Sequence, residues 1–462
     1  MVSVPAVVVA APCSGAGKTT VATGLMGALR RAGQRVAPFK IGPDFIDPGY
    51  HGLAAGRPGR NLDPVLVGES LVGPMYRHGC AGADISVVEG VMGLFDGRIN
   101  PDAPVGAGAH CAVSDGSTAH VAALLGAPVV LVVDSRGQSQ SLAALLHGFS
   151  TFDTATRIAG VVLNRVGSAR HEHVLRQACA QAGLPVFGAI PRTIDLAVPS
   201  RHLGLVTAVE HGERAGAAVA AMADVVARHV DVQAVAAAAR CAVTADAWEP
   251  QVSEEAGPVT VAMATGKAFT FAYPEHAELL RAAGADVVYF DPLAGHLPAQ
   301  TDALVLPGGF PEVFAAELAE NSPARRQVRA LAEAGAPIHA ECAGLTYLAS
   351  ELDGQPMCGV LGGAARFTDR LTLGYRDAVA VTQSSLHTVG ERVTGHEFHR
   401  TTIEFADSYQ PAWVYRGSAG ETVRDGAVHK GVHASYLHTH PASAPHAVAR
   451  FVAHAAASRL AR

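Results

Sequence analysis

The chain has 462 residues, 49% of them apolar and 16% charged, with a formal net charge of −6. That length predicts two or three domains with a sizeable core. The weakly acidic balance lacks the basic footprint of nucleic-acid or membrane-surface binding, so neither is expected as a partner. Cys13, Cys80, Cys111, Cys179, Cys241, Cys342 and Cys358 are odd in number and form no CxxC pair, which argues against a disulfide framework or zinc ribbon. With no leader-like start and no run of about 18 apolar residues, a cytoplasmic location is expected.

In chain order, the first half alternates short β-branched runs with alanine-rich helical stretches. Strands are predicted over 6–11, 35–40, 84–90, 128–134, 158–164 and 185–190, and helices over 18–32, 117–126 and 170–183. Several runs are apolar throughout, as strands buried on both faces of a parallel sheet are. This is the rhythm of a doubly wound α/β sheet. It fades after about 231, and the boundaries drawn are a first domain over 1–235, a linker over 236–257 and a second domain over 258–462. The second domain is again α/β, with strands over 258–264, 285–291 and 303–309, helices over 274–284 and 323–335, and β-type segments over 357–440. Over 444–462, Val448, Phe451, Val452 and Ala455 share one face, which reads as a terminal helix docked on its own domain.

"APCSGAGKTT" at 11–20 lies between the first strand and first helix, where a phosphate-binding loop belongs. The usual pattern is G-x-x-x-x-G-K-[ST], and Pro12 stands in the first glycine's slot. A proline fits a turn's φ, and the N–H lost there lies outside the phosphate cradle. Gly15, Gly17, Lys18, Thr19 and Thr20 are therefore read as nucleotide-binding, with Lys18 on the outer phosphates and Thr19 on Mg²⁺. Such a site needs carboxylates at neighbouring strand ends. "KIGPDFIDPGYH" (40–51) offers Asp44 and Asp47, with Lys40 read as a further nucleotide contact, and "DISVVEGVMGLFDG" (84–97) offers Glu89 and Asp96. Asp134 is a lesser rival, and Asn164 reads equally as a base contact or a cap.

In the second half, Cys342 in "IHAECAGLTYL" sits where a strand turns sharply into a helix. That arrangement exposes a nucleophile at a helix N-terminus and is expected to lower the thiol pKa. "LVLPGGFPE" places Gly308 and Gly309 at another strand end as oxyanion donors. "GVHASYLHTH" offers His433, His438 and His440 as bases.

As a set, "SGAGKTT", "FKIGPDFIDPGYH", "RNLDP", "VEGVMGLFDG", "VVLNRV", "LPGGFPE", "ECAGLTYL", "GHEFHRT" and "ASYLHTH" resemble the cobyrinic acid a,c-diamide synthase family of corrinoid biosynthesis, over nearly the whole chain. The resemblance implies a dethiobiotin-synthetase-like P-loop domain followed by a class I, triad-type glutamine amidotransferase domain. It implies an ATP- and Mg²⁺-dependent ligase that phosphorylates the a and c acetate carboxylates of a corrinoid tetrapyrrole. Ammonia released from glutamine at Cys342 then displaces the phosphate. It further implies Asp44 and Glu89 as Mg²⁺ ligands, Asp47 and Asp96 organising the γ-phosphate and substrate carboxylate, Asn164 on adenine, and His438 as the amidotransferase histidine. His440 stands where most triad amidotransferases have Glu, so the third triad member is left open. A homodimer is expected by analogy with the first domain's type. The nearest alternatives are nickel-sirohydrochlorin a,c-diamide synthase and cobyric acid synthase. A P-loop partitioning-type ATPase switch is remote, since Cys13 replaces its extra lysine and the Cys342 domain would have no use.

Overall fold

A computed structural model describes residues 3–99, 113–192, 200–201, 204–251 and 258–461. The chain divides into two compact units, Met1–Glu249 and Pro250–Arg462.

In the first unit the strands are β1 (Ala6–Ala10), β2 (Val36–Ile41), β3 (Arg60–Leu62), β4 (Ile85–Glu89), β5 (Val129–Asp134), β6 (Ile158–Val166) and β7 (Val186–Pro191). Among the described residues they form one sheet, ordered β3-β2-β4-β1-β5-β6-β7, and every neighbouring pair is parallel. The apolar runs explain this: β1, β2 and β4 are buried at every position, as both faces of a parallel sheet demand. Helices α1 (Lys18–Arg31), α2 (Asp47–Ala55), α3 (Thr118–Leu125), α4 (Glu213–His229) and α5 (Val232–Ala238) belong to this unit. β1 is central, with β4 and β5 on either side, so the loop leaving its carboxyl end opens where ligands sit in such sheets.

The expected linker over 236–257 is corrected in part. Ala6 and Arg240 exchange both backbone hydrogen bonds, and Trp248 N–H donates to the Pro74 carbonyl at 2.9 Å, tying this stretch to the first unit. Residues 252–257 lie outside the described residues, as does Cys111.

The second unit carries β8 (Val259–Ala264), β9 (Ala285–Phe290), β10 (Ala303–Leu306), β11 (Ile338–Glu341), β12 (Gly363–Ala380), β13 (Arg392–Phe405), β14 (Ala427–His429), β15 (Val432–Ser435) and β16 (His438–Thr439). One sheet runs β9-β8-β10-β11-β15-β14, parallel except at the β14 edge. The long antiparallel pair β12–β13 belongs to a second sheet, in which β16 pairs with β13. Helices here include α6 (Pro274–Ala282), α7 (Ala343–Leu348) and α8 (Pro445–Ala461). The α8 face of Val448, Phe451, Val452 and Ala455 is buried within the unit, and no described helix is long and apolar enough to cross a membrane.

Candidate active sites

In the first unit, β1 ends at Ala10 and α1 starts at Lys18, with a glycine-bearing turn between them. Gly15 and Gly17 take φ of 77° and 99°, a left-handed region that side chains avoid. At Gly17 space is also lacking, because a Cβ there would fall 2.3 Å from Asn164 Nδ2. The Asn164 amide donates to the Ala16 carbonyl at 2.9 Å, and the Arg165 guanidinium donates to Gly15 O at 2.9 Å. Asn164 thus braces the loop. Asp134 pairs with Arg136 and Arg165.

Strand register supplies the charges. Glu89 on β4 stands beside Val9 on one side and Lys40 on the other. The Lys40 ammonium spends its three protons on Asp47 Oδ2 (2.7 Å), Glu89 Oε1 (3.0 Å) and the Gly90 carbonyl (3.1 Å). Thr19 Oγ1 donates to Glu89 Oε1 at 2.7 Å, and His51 Nε2 lies 2.6 Å from Glu89 Oε2. Glu89 and His51 are 0% exposed and Lys40 4%. Burial pulls the Lys40 ammonium down, but Asp47, Glu89 and Asp44 outweigh it and hold it above its usual range. Burial pushes Glu89 up, yet Lys40 and His51 prevail and keep it ionised. Burial, Asp44 and Glu89 raise Asp47 despite Lys40. Lys18 donates to the Met92 and Cys13 carbonyls, and burial followed by Lys40 lowers its pKa.

Asp44 Oδ1 accepts from the N–H groups of Ile46 (2.7 Å) and Asp47 (2.9 Å), shaping the start of α2. Asp96 is exposed and accepts from Gly93 N–H at 2.8 Å. Thr20 follows Thr19 in the first turn of α1, half-buried. Sequence reasoning missed His51 and also Asn61, which donates to the carbonyls of Gly42 (2.8 Å) and Asp44 (2.7 Å). Both lie inside quoted segments, and their signal is polarity at wholly buried positions.

In the second unit, Cys342 follows β11 and precedes α7 with φ of 49° and ψ of −98°, the strained turn of a nucleophile elbow, but its side chain is buried and not exposed as expected. Its N–H donates to Ser435 O at 2.8 Å. The backbone N–H groups of Ala343 and Gly309 face its sulfur. At Gly308 a Cβ would sit 2.3 Å from His438 Cε1, so its bare backbone lets the ring lie over it. Its carbonyl accepts from Phe271 N–H at 3.0 Å. His438, buried on β16 opposite His396, turns Nδ1 toward Glu341 Oε2 at 3.7 Å. Glu341 Oε1 accepts from Thr439 N–H (3.0 Å) and Thr439 Oγ1 (2.9 Å), and His339 Nε2 lies 3.3 Å away.

The lowered thiol pKa expected of Cys342 is corrected. Burial first, then the Glu312 and Glu341 carboxylates, push it well above its usual range, and the N–H groups of Ala343 and Gly309 offset this only in part. α7 has six residues, too short for its dipole to prevail. His433 joins a different cluster, with Ser384 Oγ at 3.2 Å and the Trp413 ring at 5.3 Å. The His440 ring packs on Tyr273 at 4.2 Å, and its Nδ1 accepts from Ala442 N–H.

Two family descriptions match these units: "CobQ/CobB/MinD/ParA nucleotide binding domain" over residues 7–206 and "CobB/CobQ-like glutamine amidotransferase domain" over residues 260–445. Hydrogenobyrinate a,c-diamide synthase of Mycobacterium tuberculosis is 71% identical over 98% of both chains. The protein of that name in Streptomyces coelicolor is 52% identical over 97% of both. Cobyrinate a,c-diamide synthase of Gloeobacter violaceus is 40% identical over 97% of this chain and 96% of its own. The chain belongs to the cobyrinate a,c-diamide synthase family. The first unit thus carries a buried charge cluster at Lys40 and Glu89, and the second a strained cysteine elbow at Cys342. The hard oxygens of Thr19, Glu89 and Asp44 suit Mg²⁺, and the loop's φ values and N–H-rich turn suit nucleotide phosphates.

Proposed function

We propose that the chain uses ATP and glutamine to amidate the a and c acetate carboxylates of hydrogenobyrinic acid, the metal-free corrinoid. The observation that carries this is 71% identity over 98% of a relative named for that reaction. Identity is 50–71% to relatives named for hydrogenobyrinate and 37–41% to those named for cobyrinate, which favours the metal-free substrate.

At the first site the loop N–H groups and Lys18 bind the ATP phosphates. Thr19, Glu89 and Asp44 would hold Mg²⁺, which when bound would screen phosphate charge. Lys40 keeps Glu89 ionised and fixed, and His51 closes its other oxygen. Asp47 and Asp96 organise the γ-phosphate and the incoming carboxylate, whose oxygen attacks phosphorus to give an acyl phosphate and ADP. Ammonia then attacks the acyl carbon, and phosphate leaves.

At the second site the thiol is protonated at rest, so it needs a base. His438 takes the proton as sulfur attacks the glutamine carboxamide. The N–H groups of Gly309 and Ala343 steady the tetrahedral oxygen. His438 returns the proton to departing ammonia, and water hydrolyses the thioester to glutamate.

The test is purified protein with ATP, Mg²⁺ and glutamine against hydrogenobyrinic acid, cobyrinic acid and nickel-sirohydrochlorin, scored by mass. Two amide gains on hydrogenobyrinic acid are expected. Amidation of nickel-sirohydrochlorin alone would replace this reading by that of the nickel enzyme.

A further inference from the structure

Most triad amidotransferases carry a Glu two residues after the histidine, and here that position is His440. A histidine in that place cannot supply the negative charge that steadies an imidazolium. The structure shows where His440 is held instead: on the Tyr273 ring, with Nδ1 accepting from Ala442 N–H and Nε2 3.9 Å from Glu275 Oε2.

A carboxylate does approach His438, from another strand. We propose that Glu341, the residue immediately before the nucleophile, is the positioning acid that orients His438. This rests on the glutaminase reading above. Four observations support it. Glu341 Oε2 lies 3.7 Å from His438 Nδ1, the nitrogen that must carry a proton if Nε2 is to accept one from Cys342. Glu341 Oε1 is anchored by the N–H and hydroxyl of Thr439, the residue next to His438, so the acid and the base are tied to one strand. His339 Nε2, at 3.3 Å, holds the carboxylate from its own strand. Burial would push Glu341 up, but His339 and His438 outweigh it and keep it ionised well below its usual range.

The geometry predicts a characteristic defect for Glu341→Gln. The amide keeps an oxygen for Thr439 but turns an N–H₂ toward His438 Nδ1, which selects the tautomer whose Nε2 is already protonated. The base is then lost while the glutamine pocket stays shaped. The kcat of glutamine hydrolysis is expected to fall about 10²-fold or more, with KM for glutamine changed by less than about threefold. Glu341→Asp keeps the charge and should recover part of the rate. Amidation driven by added ammonium should be unchanged, and His440→Gln should retain near-native glutaminase. A Glu341→Gln kcat within about threefold of the parent, or a large loss in His440→Gln with none in Glu341→Gln, overturns the assignment. If Glu341→Gln does not fold, Thr439→Val removes one anchor of the carboxylate. It should lower kcat by a smaller factor at unchanged KM, and an unaltered kcat again overturns the idea. The parent protein is assayed first: absence of glutaminase there would sink the proposed function, whereas an undiminished rate in the variant sinks only the role of Glu341.

Discussion

Lys40 and Glu89 stand level on adjacent parallel strands, Nζ to Oε1 3.0 Å, with Asp47 closing the ammonium from the first turn of α2. Removing one partner of such a buried pair strands the other's charge, whereas the intact cluster is close to neutral in energy. Lys40→Met leaves Glu89 and Asp47 together without their cation and is expected to cost about 3–5 kcal/mol. Trp248 lies against His78 in the same unit, at 5.0 Å between ring centroids, and its fluorescence in urea reports the transition. A midpoint equal to that of the parent would show that Glu89 has another counter-charge. ATP-dependent synthesis should be lost with it, since Glu89 would no longer be held ionised next to Thr19.

Gly17 is under two constraints at once, a φ of 99° and a neighbour 2.3 Å from where a Cβ would lie. Gly17→Ala therefore strains the backbone by about 1–2 kcal/mol and pushes Asn164 off the Ala16 carbonyl. KM for ATP should rise about tenfold or more, with glutamine hydrolysis in the other unit untouched. An unchanged ATP dependence would mean that this loop is not the phosphate cradle.

Much of the first site was legible because a phosphate loop is local. Strand, glycines, lysine and helix are contiguous, and their spacing is their geometry. Glu89 was readable as a carboxylate at a strand end. What could not be read is how β2 and β4 come to lie side by side, which is what places Lys40 against Glu89. His51 reaches Glu89 only because α2 folds back, and its burial is a tertiary fact. Asn164 looked equally like a cap or a base contact, and the loop it braces lies 148 residues away. In the second unit the elbow of Cys342 was local and readable, but its thiol pKa was not: a short helix suggests a lowered value, while enclosure decides the opposite. Glu341 shows the same limit. Local spacing points to position 440, whereas the carboxylate near His438 comes from β11, 98 residues before its anchor Thr439.

Two chemically separate sites give separable losses. Cys342→Ala removes the only atom that can attack glutamine at the elbow, so glutamine-dependent amidation should vanish while ammonium-dependent amidation continues at near the parent rate. Lys18→Ala removes the phosphate contact, so amidation should fail with either nitrogen donor while glutamine hydrolysis alone persists. Mass analysis of the tetrapyrrole together with glutamate release distinguishes the two. Loss of ammonium-driven synthesis in folded Cys342→Ala would argue against independent sites.

Asp425 supplies a pH signature in the second unit. Its carboxylate accepts from the backbone N–H of Tyr436, at 3.2 Å. Burial, then the nearby Glu397 carboxylate, push it up to about 7 from the ordinary 3.8, against the pull of that N–H and of His399. A raised folded-state pKa means that the native chain holds a proton which the unfolded chain has released. This group's contribution is therefore complete below about pH 4 and is lost as pH rises toward 7, at up to about 1.4 kcal/mol per unit. Asp425→Asn carries the neutral form permanently and keeps an oxygen for Tyr436 N–H, so that slope should disappear. Trp413, paired directly with Asp425 across its strand, reports the unfolding of this unit in a Trp248→Phe background. Relative to that parent, Asp425→Asn should gain stability between pH 5 and pH 8. Parallel stability curves over that range would show that Asp425 is already ionised in the folded protein.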